Sequence, residues 1–254
     1  MLNYVAIVDR GLVHKTNDDT VLLGHTVFSD GKVKGKFDID EGIFAIADGV
    51  GGLQFSELAS REALRNISEC NVRNQNELLE CIKEANTNIL KIRDKRKLFP
   101  DISSTLCIMT ILNEKLITYN LGNSRAYRFR DDILLQLTKD QTKVQYLCDA
   151  GLINPSEMKI HAESNIITAY IGSDNFDIGW IDVVEHREKY KFGDIILMCS
   201  DGLSDYVDIE VMEKVLSFDI PLSEKADEML KKVYENGAGD NISFILIEKK
   251  QSEE

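Results

Sequence analysis

No stretch of the chain approaches the about 18 consecutive apolar residues that read as a membrane-crossing helix, so none is expected. The opening Met1-Leu2-Asn3-Tyr4 has neither the basic head nor the apolar stretch of a secretory leader. Leu2 in place of glycine excludes N-myristoylation. A cytoplasmic protein is the expectation. Cationic charge is scarce: 30 Lys and Arg stand against 43 Asp and Glu, a net charge of -13. Such a surface repels phosphate backbones and argues against nucleic-acid binding. The four His are scattered without an H-x-x-x-H pair, which leaves no zinc-hydrolase pattern. Cys70, Cys81, Cys107, Cys148 and Cys199 are odd in number and contain no C-x-x-C, so neither a disulfide framework nor a zinc ribbon is expected. Cys107 and Cys199 lie in apolar, strand-like runs and read as buried reduced thiols.

Proline is also rare, at 3 residues, and the chain has no Gly/Ser-rich linker and no repeat. A single domain over 1–254 is therefore expected, with 43% apolar residues to build its core. Apolar or alternating runs of strand length occupy residues 4–8, 20–23, 43–47, 106–112, 116–120, 125–130, 178–184, 194–199 and 242–247. Leu78, Ile82, Ala85, Ile89 and Ile92 recur at three and four residues and mark one helix face. Further helices are expected over 56–69 and about 223–234. Two early helices, a block of strands and a late helix do not follow the βαβ alternation of a parallel sheet. That order predicts antiparallel sheets covered by helices. Residues 141–175 are less regular and read as a flap over a site or as an ordinary surface excursion.

Three carboxylates share one local design. Asp48 ends an apolar run and precedes Gly49-Val50-Gly51-Gly52; Asp201 ends another and precedes Gly202; Asp240 lies between Gly239 and Asn241, just before a third. A strand end fixes a side chain, and glycine permits close approach of backbone or ligand. Asn17-Asp18-Asp19 precedes a further strand. Carboxylates that converge repel unless cations neutralise them. Oxygen donors without His or Cys suit Mg²⁺ or Mn²⁺. A pair of such ions about 3.5–4 Å apart activates water and clamps a phosphoryl group. A lone Asp-Gly is usually an ordinary turn, so this pattern alone leaves both readings open.

The ordered motifs resemble the metal-dependent protein phosphatase family, protein phosphatase type 2C, in its short bacterial form. Asp9-Arg10-Gly11-Leu12-Val13 with Asn17-Asp18-Asp19 is similar to its opening motif, and Ala47-Asp48-Gly49-Val50-Gly51-Gly52 to its D-G-M-G-G segment. Ser104-Thr105, Gly122-Asn123-Ser124-Arg125-Ala126-Tyr127, Leu137-Thr138-Lys139-Asp140-Gln141 and Asn165-Ile166-Ile167-Thr168 follow in the family's order. Cys199-Ser200-Asp201-Gly202-Leu203 and Gly239-Asp240-Asn241-Ile242-Ser243 complete it. The resemblance implies an α+β fold, a four-layer αββα sandwich of two antiparallel sheets flanked by helix pairs. It implies phosphoserine and phosphothreonine hydrolysis on phosphoprotein substrates by direct attack of a water bridging two Mn²⁺ or Mg²⁺ ions, with no phosphoenzyme. Carried over residue by residue, Asp48 bridges both ions, the Gly49 carbonyl joins one, and Asp201 and Asp240 hold the other. Asp18 and Asp19 hold metal-bound waters. Targets of a Ser/Thr kinase are the implied substrates.

The departures from the pattern are specific. His14 stands where the family usually has a phosphate-gripping arginine, which predicts weaker phosphate binding that gains from lower pH; alternatively Arg10 or Lys15 substitutes. Asn123 replaces an Asp associated with a third, weaker metal, so that position should bind weakly. Val50 and Leu53 stand where relatives carry His, Gln141 replaces another His, Ala169 an Arg, and Asp18 is a methylene shorter than the usual Glu. Two other readings remain: a pseudophosphatase that binds a phosphoprotein or partner without turnover, and a hydrolase of small phosphate esters.

Overall fold

The computed structural model describes residues 1–37, 42–50, 55–98, 102–112 and 114–250. Its strands form two antiparallel six-stranded sheets. The first contains β1 (Leu2–Asp9), β4 (Gly31–Phe37), β8 (Arg125–Arg130), β9 (Ile133–Gln136), β11 (Ile195–Cys199) and β12 (Ile242–Lys249), in the order β4-β1-β12-β11-β8-β9. The second contains β2 (Asp19–Leu23), β3 (Thr26–Phe28), β5 (Gly42–Asp48), β6 (Leu106–Leu112), β7 (Lys115–Leu121) and β10 (Asp182–Glu185), in the order β10-β7-β6-β5-β2-β3.

Side-chain alternation explains the layering. Successive residues of a strand face opposite sides. Along β1, Ala6 and Val8 enter the core between the sheets, whereas Val5 and Ile7 face a helical layer. Along β5, Phe44 and Ile46 enter the same central core, while Ala45 and Ala47 face the other helical layer. Central strands are thus buried on both faces, which is why they read as nearly continuous apolar runs. Helices α1 (Ser56–Glu69) and α2 (Gln75–Arg96) cover the second sheet. Helices α3 (Lys143–Asp149) and α4 (Pro155–Met158) lie in the excursion after β9, and α5 (Asp201–Ser204) follows β11. Helices α6 (Ile209–Leu216) and α7 (Leu222–Glu235) cover the first sheet. This is the expected αββα arrangement. Among the described residues, no helix is long and apolar enough to cross a membrane.

Several elements depart from expectation. The run 178–184 is not one strand: Ile178–Trp180 is a 3-10 turn, capped by Asp177 Oδ1 accepting from Gly179 N at 2.6 Å, and β10 begins only at Asp182. A side chain that satisfies a turn amide competes with the ladder. The edge strand β4 was not expected, because Lys32, Lys34 and Lys36 fill one face and only Val33 and Phe37 on the other are large and apolar; lysines of this kind protect a sheet edge. Cys70, at the end of α1, and Cys81, inside α2, are joined as a disulfide with Cα atoms 6.5 Å apart. This corrects the expectation of none. The pairing depends on how the two helices pack, which cysteine spacing does not encode. Cys107 and Cys199 are free and fully buried, and burial pushes the Cys199 thiol up to about 12.

Candidate active site

Strand register gathers the acidic residues at one end of the sandwich. Asp19, first in β2, pairs directly with Asp48, last in β5. In the other sheet Cys199 pairs with Phe244, and Asp9 with Ile242. Asp201, just past β11, and Asp240, just before β12, therefore emerge at neighbouring positions of the same rim. Asp19 is about 1% exposed, and its Oδ2 accepts from the Ser200 hydroxyl at 2.8 Å, which ties the two sheets together at the site.

Backbone contacts hold the Asp48 strand end in place. The Asp48 amide donates to Thr105 Oγ1 at 3.0 Å, and its carbonyl accepts from the Thr105 amide at 2.8 Å and the Ser104 hydroxyl at 2.9 Å. This is the physical content of the Ser104-Thr105 motif. Gly49 donates to the Asp18 carbonyl at 3.1 Å, and a Cβ there would meet the Ser56 carbonyl oxygen at 2.7 Å. Gly51, Gly52 and Leu53 lie outside the described residues.

The loop after β1 is pinned by Asp9 and Asn241. Asp9 Oδ1 accepts from Gly11 N at 2.8 Å and from the Tyr234 hydroxyl at 2.7 Å. Asn241 Oδ1 accepts from the Asp18 amide at 2.8 Å, while its Nδ2 donates to the Arg10 and Thr16 carbonyls. Gly202 is required beside it, since a Cβ would fall 1.8 Å from the Asn241 carbonyl oxygen.

The electrostatics match the convergence. Burial first, then the charges of Asp19, Asp201 and Asp240, hold the Asp48 carboxyl well above the usual carboxylate range. Asp201 is raised by burial and by Asp240 and is lowered by its neighbour Asp48, which Asp201 raises in turn. Asp19 is pushed up to about 7, chiefly by burial and against the hydrogen bond from Ser200. Asp18 is raised by burial. Like charges crowded at a buried rim cannot all ionise without a cation.

The donor set fits a hard divalent ion. Its atoms are carboxylate, carbonyl and amide oxygens, with no thiolate or ring nitrogen among the proposed ligands. The Oδ1 atoms of Asp18, Asp19 and Asn123 are buried with no hydrogen-bond partner. Buried polar atoms left in this state call for a partner. Among the described residues no three His, Cys, Asp or Glu side chains are already closed into a ligand cage.

The remaining predicted positions sit around this rim. His14 Nε2 lies 3.3 Å from Asp240 Oδ1, with both side chains partly exposed. Arg10 instead turns a guanidinium nitrogen to the Lys15 carbonyl at 3.4 Å. Asn123 Nδ2 donates to Asp201 Oδ2 at 2.9 Å. Gln141 is a structural brace: its Oε1 accepts from Gly122 N at 2.9 Å and its Nε2 donates to the Trp180 carbonyl at 2.8 Å, fixing the turn that carries Asn123. Ala169 is buried against the α1–α2 core cluster. The bracing roles of Ser200, Asn241 and Gln141 were missed by sequence reasoning. Each lies inside or beside a quoted motif, but a hydrogen bond across as many as 231 residues leaves no local signal.

The protein phosphatase 2C family profile matches residues 11–145. The serine/threonine phosphatase stp of Listeria monocytogenes is 28% identical over 250 residues, covering 95% of this chain and 93% of that one. The serine/threonine protein phosphatase PstP of Mycobacterium tuberculosis is 28% identical over 252 residues, 97% of this chain and 45% of that longer protein. The crystal structure of Mycobacterium tuberculosis PstP/Ppp superposes with a TM-score of 0.82 at 26% identity, covering 99% of this chain and 100% of that one. The PstP catalytic domain in complex with two manganese ions gives 0.79 at 25% identity, covering 99% of this chain and 100% of that one.

Proposed function

The chain belongs to the protein phosphatase 2C family and is a metal-dependent protein serine/threonine phosphatase, and we propose that Asp48, Gly49, Asp201 and Asp240 carry its chemistry as one domain over residues 1–254. The observation that supports this assignment is the convergence of Asp19, Asp48, Asp201 and Asp240: burial together with the neighbouring acidic charges raises the proton affinity of Asp19, Asp48 and Asp201. Side chains that compete for protons in this way also compete for divalent cations. Two Mn²⁺ or Mg²⁺ ions are the cations of choice for this oxygen set. When bound, they supply Lewis acidity toward the phosphoryl oxygens and an activated water.

Each residue has a distinct task. Asp48 is central, with its backbone held by Ser104 and Thr105 and its carboxyl raised by burial and by the charges of Asp19, Asp201 and Asp240. Asp240 completes the set from just before β12. Asp18 and Asp19 present buried, unpartnered oxygens that would orient water held by the ions. The substrates are phosphoproteins, and the targets of a cytoplasmic Ser/Thr kinase are their source. The intact carboxylate set supports turnover over a binding-only role.

His14 is assigned to the substrate phosphate. Its place 3.3 Å from Asp240 puts it at the mouth of the site. A histidine carries charge only when protonated, whereas arginine presents a permanent planar fork. His14→Arg is expected to lower KM for a phosphothreonine peptide about three- to tenfold with little change in kcat. Steady-state kinetics at neutral pH test it, and an unchanged KM removes His14 from the assignment.

A further inference from the structure

A second recess adjoins the carboxylate rim. It has a volume of about 280 Å³ and lies between the Asn123 turn, α5 and the excursion that carries α3 and α4. Drug-sized sites run from about 300 to 1,000 Å³, so this one is scaled to a single long side chain. Its wall near the rim is Asn123, which also donates to Asp201 at 2.9 Å. The recess is therefore one residue away from the carboxylates assigned to the cations.

The lining has unmet hydrogen-bond acceptors. Asn123 Oδ1 and Ser204 Oγ are both buried without a partner, and Ser204 as a whole is 9% exposed. Asp205, at the same wall, forms no ion pair with a described residue. The two cations beside it are committed elsewhere. Arg125 is bound by both carboxylate oxygens of Asp140 at 2.7–3.1 Å. Lys159 pairs with Asp208 at 3.3 Å and is 65% exposed. Val144, Pro155 and Met158 supply the apolar part of the lining. Asp205 is exposed at this wall; desolvation and the nearby Asp201 push its carboxyl up to about 6, against the lowering pull of Arg125 and Lys159.

We propose that this recess receives a lysine or arginine side chain of the phosphoprotein substrate, within about three residues of the phosphorylated serine or threonine. The aliphatic stem packs on Val144, Pro155 and Met158, and the cationic head reaches Asp205, Asn123 Oδ1 and Ser204 Oγ. Long basic side chains combine an apolar stem with a polar head in this way. The cation of the substrate then occupies the neighbourhood that a third metal would otherwise claim, which accords with a neutral amide at position 123. This inference rests on the assignment of the adjacent rim to phosphoprotein hydrolysis.

The test is a set of phosphothreonine peptides that differ only in carrying Lys, Arg, norleucine, Gln or Glu at each position from three before to three after the phosphothreonine. Phosphate release is measured with the full chain and Mn²⁺. At one position, Lys or Arg is expected to raise kcat/KM about tenfold over norleucine and Gln. Asp205→Asn should bring that ratio close to one, and Asp205→Lys should turn the preference toward Glu. Because each readout is a ratio within one variant, a general loss of activity does not mimic it. Equal kcat/KM for basic and neutral peptides overturns the inference while leaving the phosphatase assignment intact. No phosphate release from any peptide overturns that assignment instead. A manganese ion lost from the wild-type stoichiometry in Asp205→Asn shows that the recess holds metal, and also overturns the inference.

Discussion

Asp201→Asn is expected to reduce Mn²⁺-dependent hydrolysis of p-nitrophenyl phosphate by about 10³-fold or more. The exchange keeps side-chain volume and a hydrogen-bonding group beside Asn123 Nδ2, which now lies 2.9 Å from Asp201 Oδ2. It removes the charge. The amide cannot replace a carboxylate as a hard anionic ligand, so the cation pair loses one of its anchors. The fold should survive, because burial and then the Asp240 charge raise Asp201, so its ionised form is disfavoured in the metal-free protein. Circular dichroism identical to the parent, together with the lost rate, is the expected result. A variant within tenfold of the parent removes Asp201 from the chemistry and revives the binding-only reading.

The second large effect is on stability. Asp48 and Asp19 bind protons more tightly in the folded chain than in the unfolded one, with Asp19 raised to about 7. For an acid raised on folding, the folded state holds extra protons between the ordinary carboxylate pKa, near about 4, and the raised value. Stability of the metal-free protein is therefore fullest at the acid end of that window and falls as pH rises through about 7. Mn²⁺ acts in the opposite sense, because it binds the ionised carboxylates and removes their repulsion. At a concentration about 100 times its Kd, a cation bound only to the folded state adds about 2.7 kcal/mol. In a chain of this size that corresponds to roughly 5–10 °C in Tm. The manganese-induced rise in Tm is expected to be at least twice as large at pH 8 as at pH 5.5, measured by differential scanning fluorimetry against EDTA. An equal shift at both pH values contradicts carboxylate ligation.

Much of this was legible from residue order. The apolar strands reveal themselves by burial on both faces, and β6 and β8 span the residues expected of them. The α2 stripe from Leu78 to Ile89 is buried as its spacing requires. The acidic rim was legible as glycine-flanked carboxylates at strand ends, and register then places Asp19 directly opposite Asp48. What escaped has a common cause. Strand β4 is defined by its partner β1 and not by its own lysine-rich pattern. The link between Cys70 and Cys81 follows from helix packing. Asn241, Ser200 and Gln141 act through hydrogen bonds to residues distant in sequence, and such contacts exist only once the sheets are assembled.

The departures from the family pattern also acquire physical meaning. Gln141 fills the place of a histidine by bracing the Gly122 turn, where φ is 103° and a side chain would press on Thr105. Asn123 answers Asp201 with a neutral hydrogen bond through Nδ2 and leaves its buried Oδ1 without a partner.

The most direct measurement is anomalous X-ray scattering from crystals of this chain grown in Mn²⁺. The account predicts two manganese peaks enclosed by Asp48, the Gly49 carbonyl, Asp201 and Asp240, with Asp18 and Asp19 turned toward them and none on Asn123. Carboxylates splayed away from one another around no ion, at manganese concentrations that support hydrolysis, would contradict it.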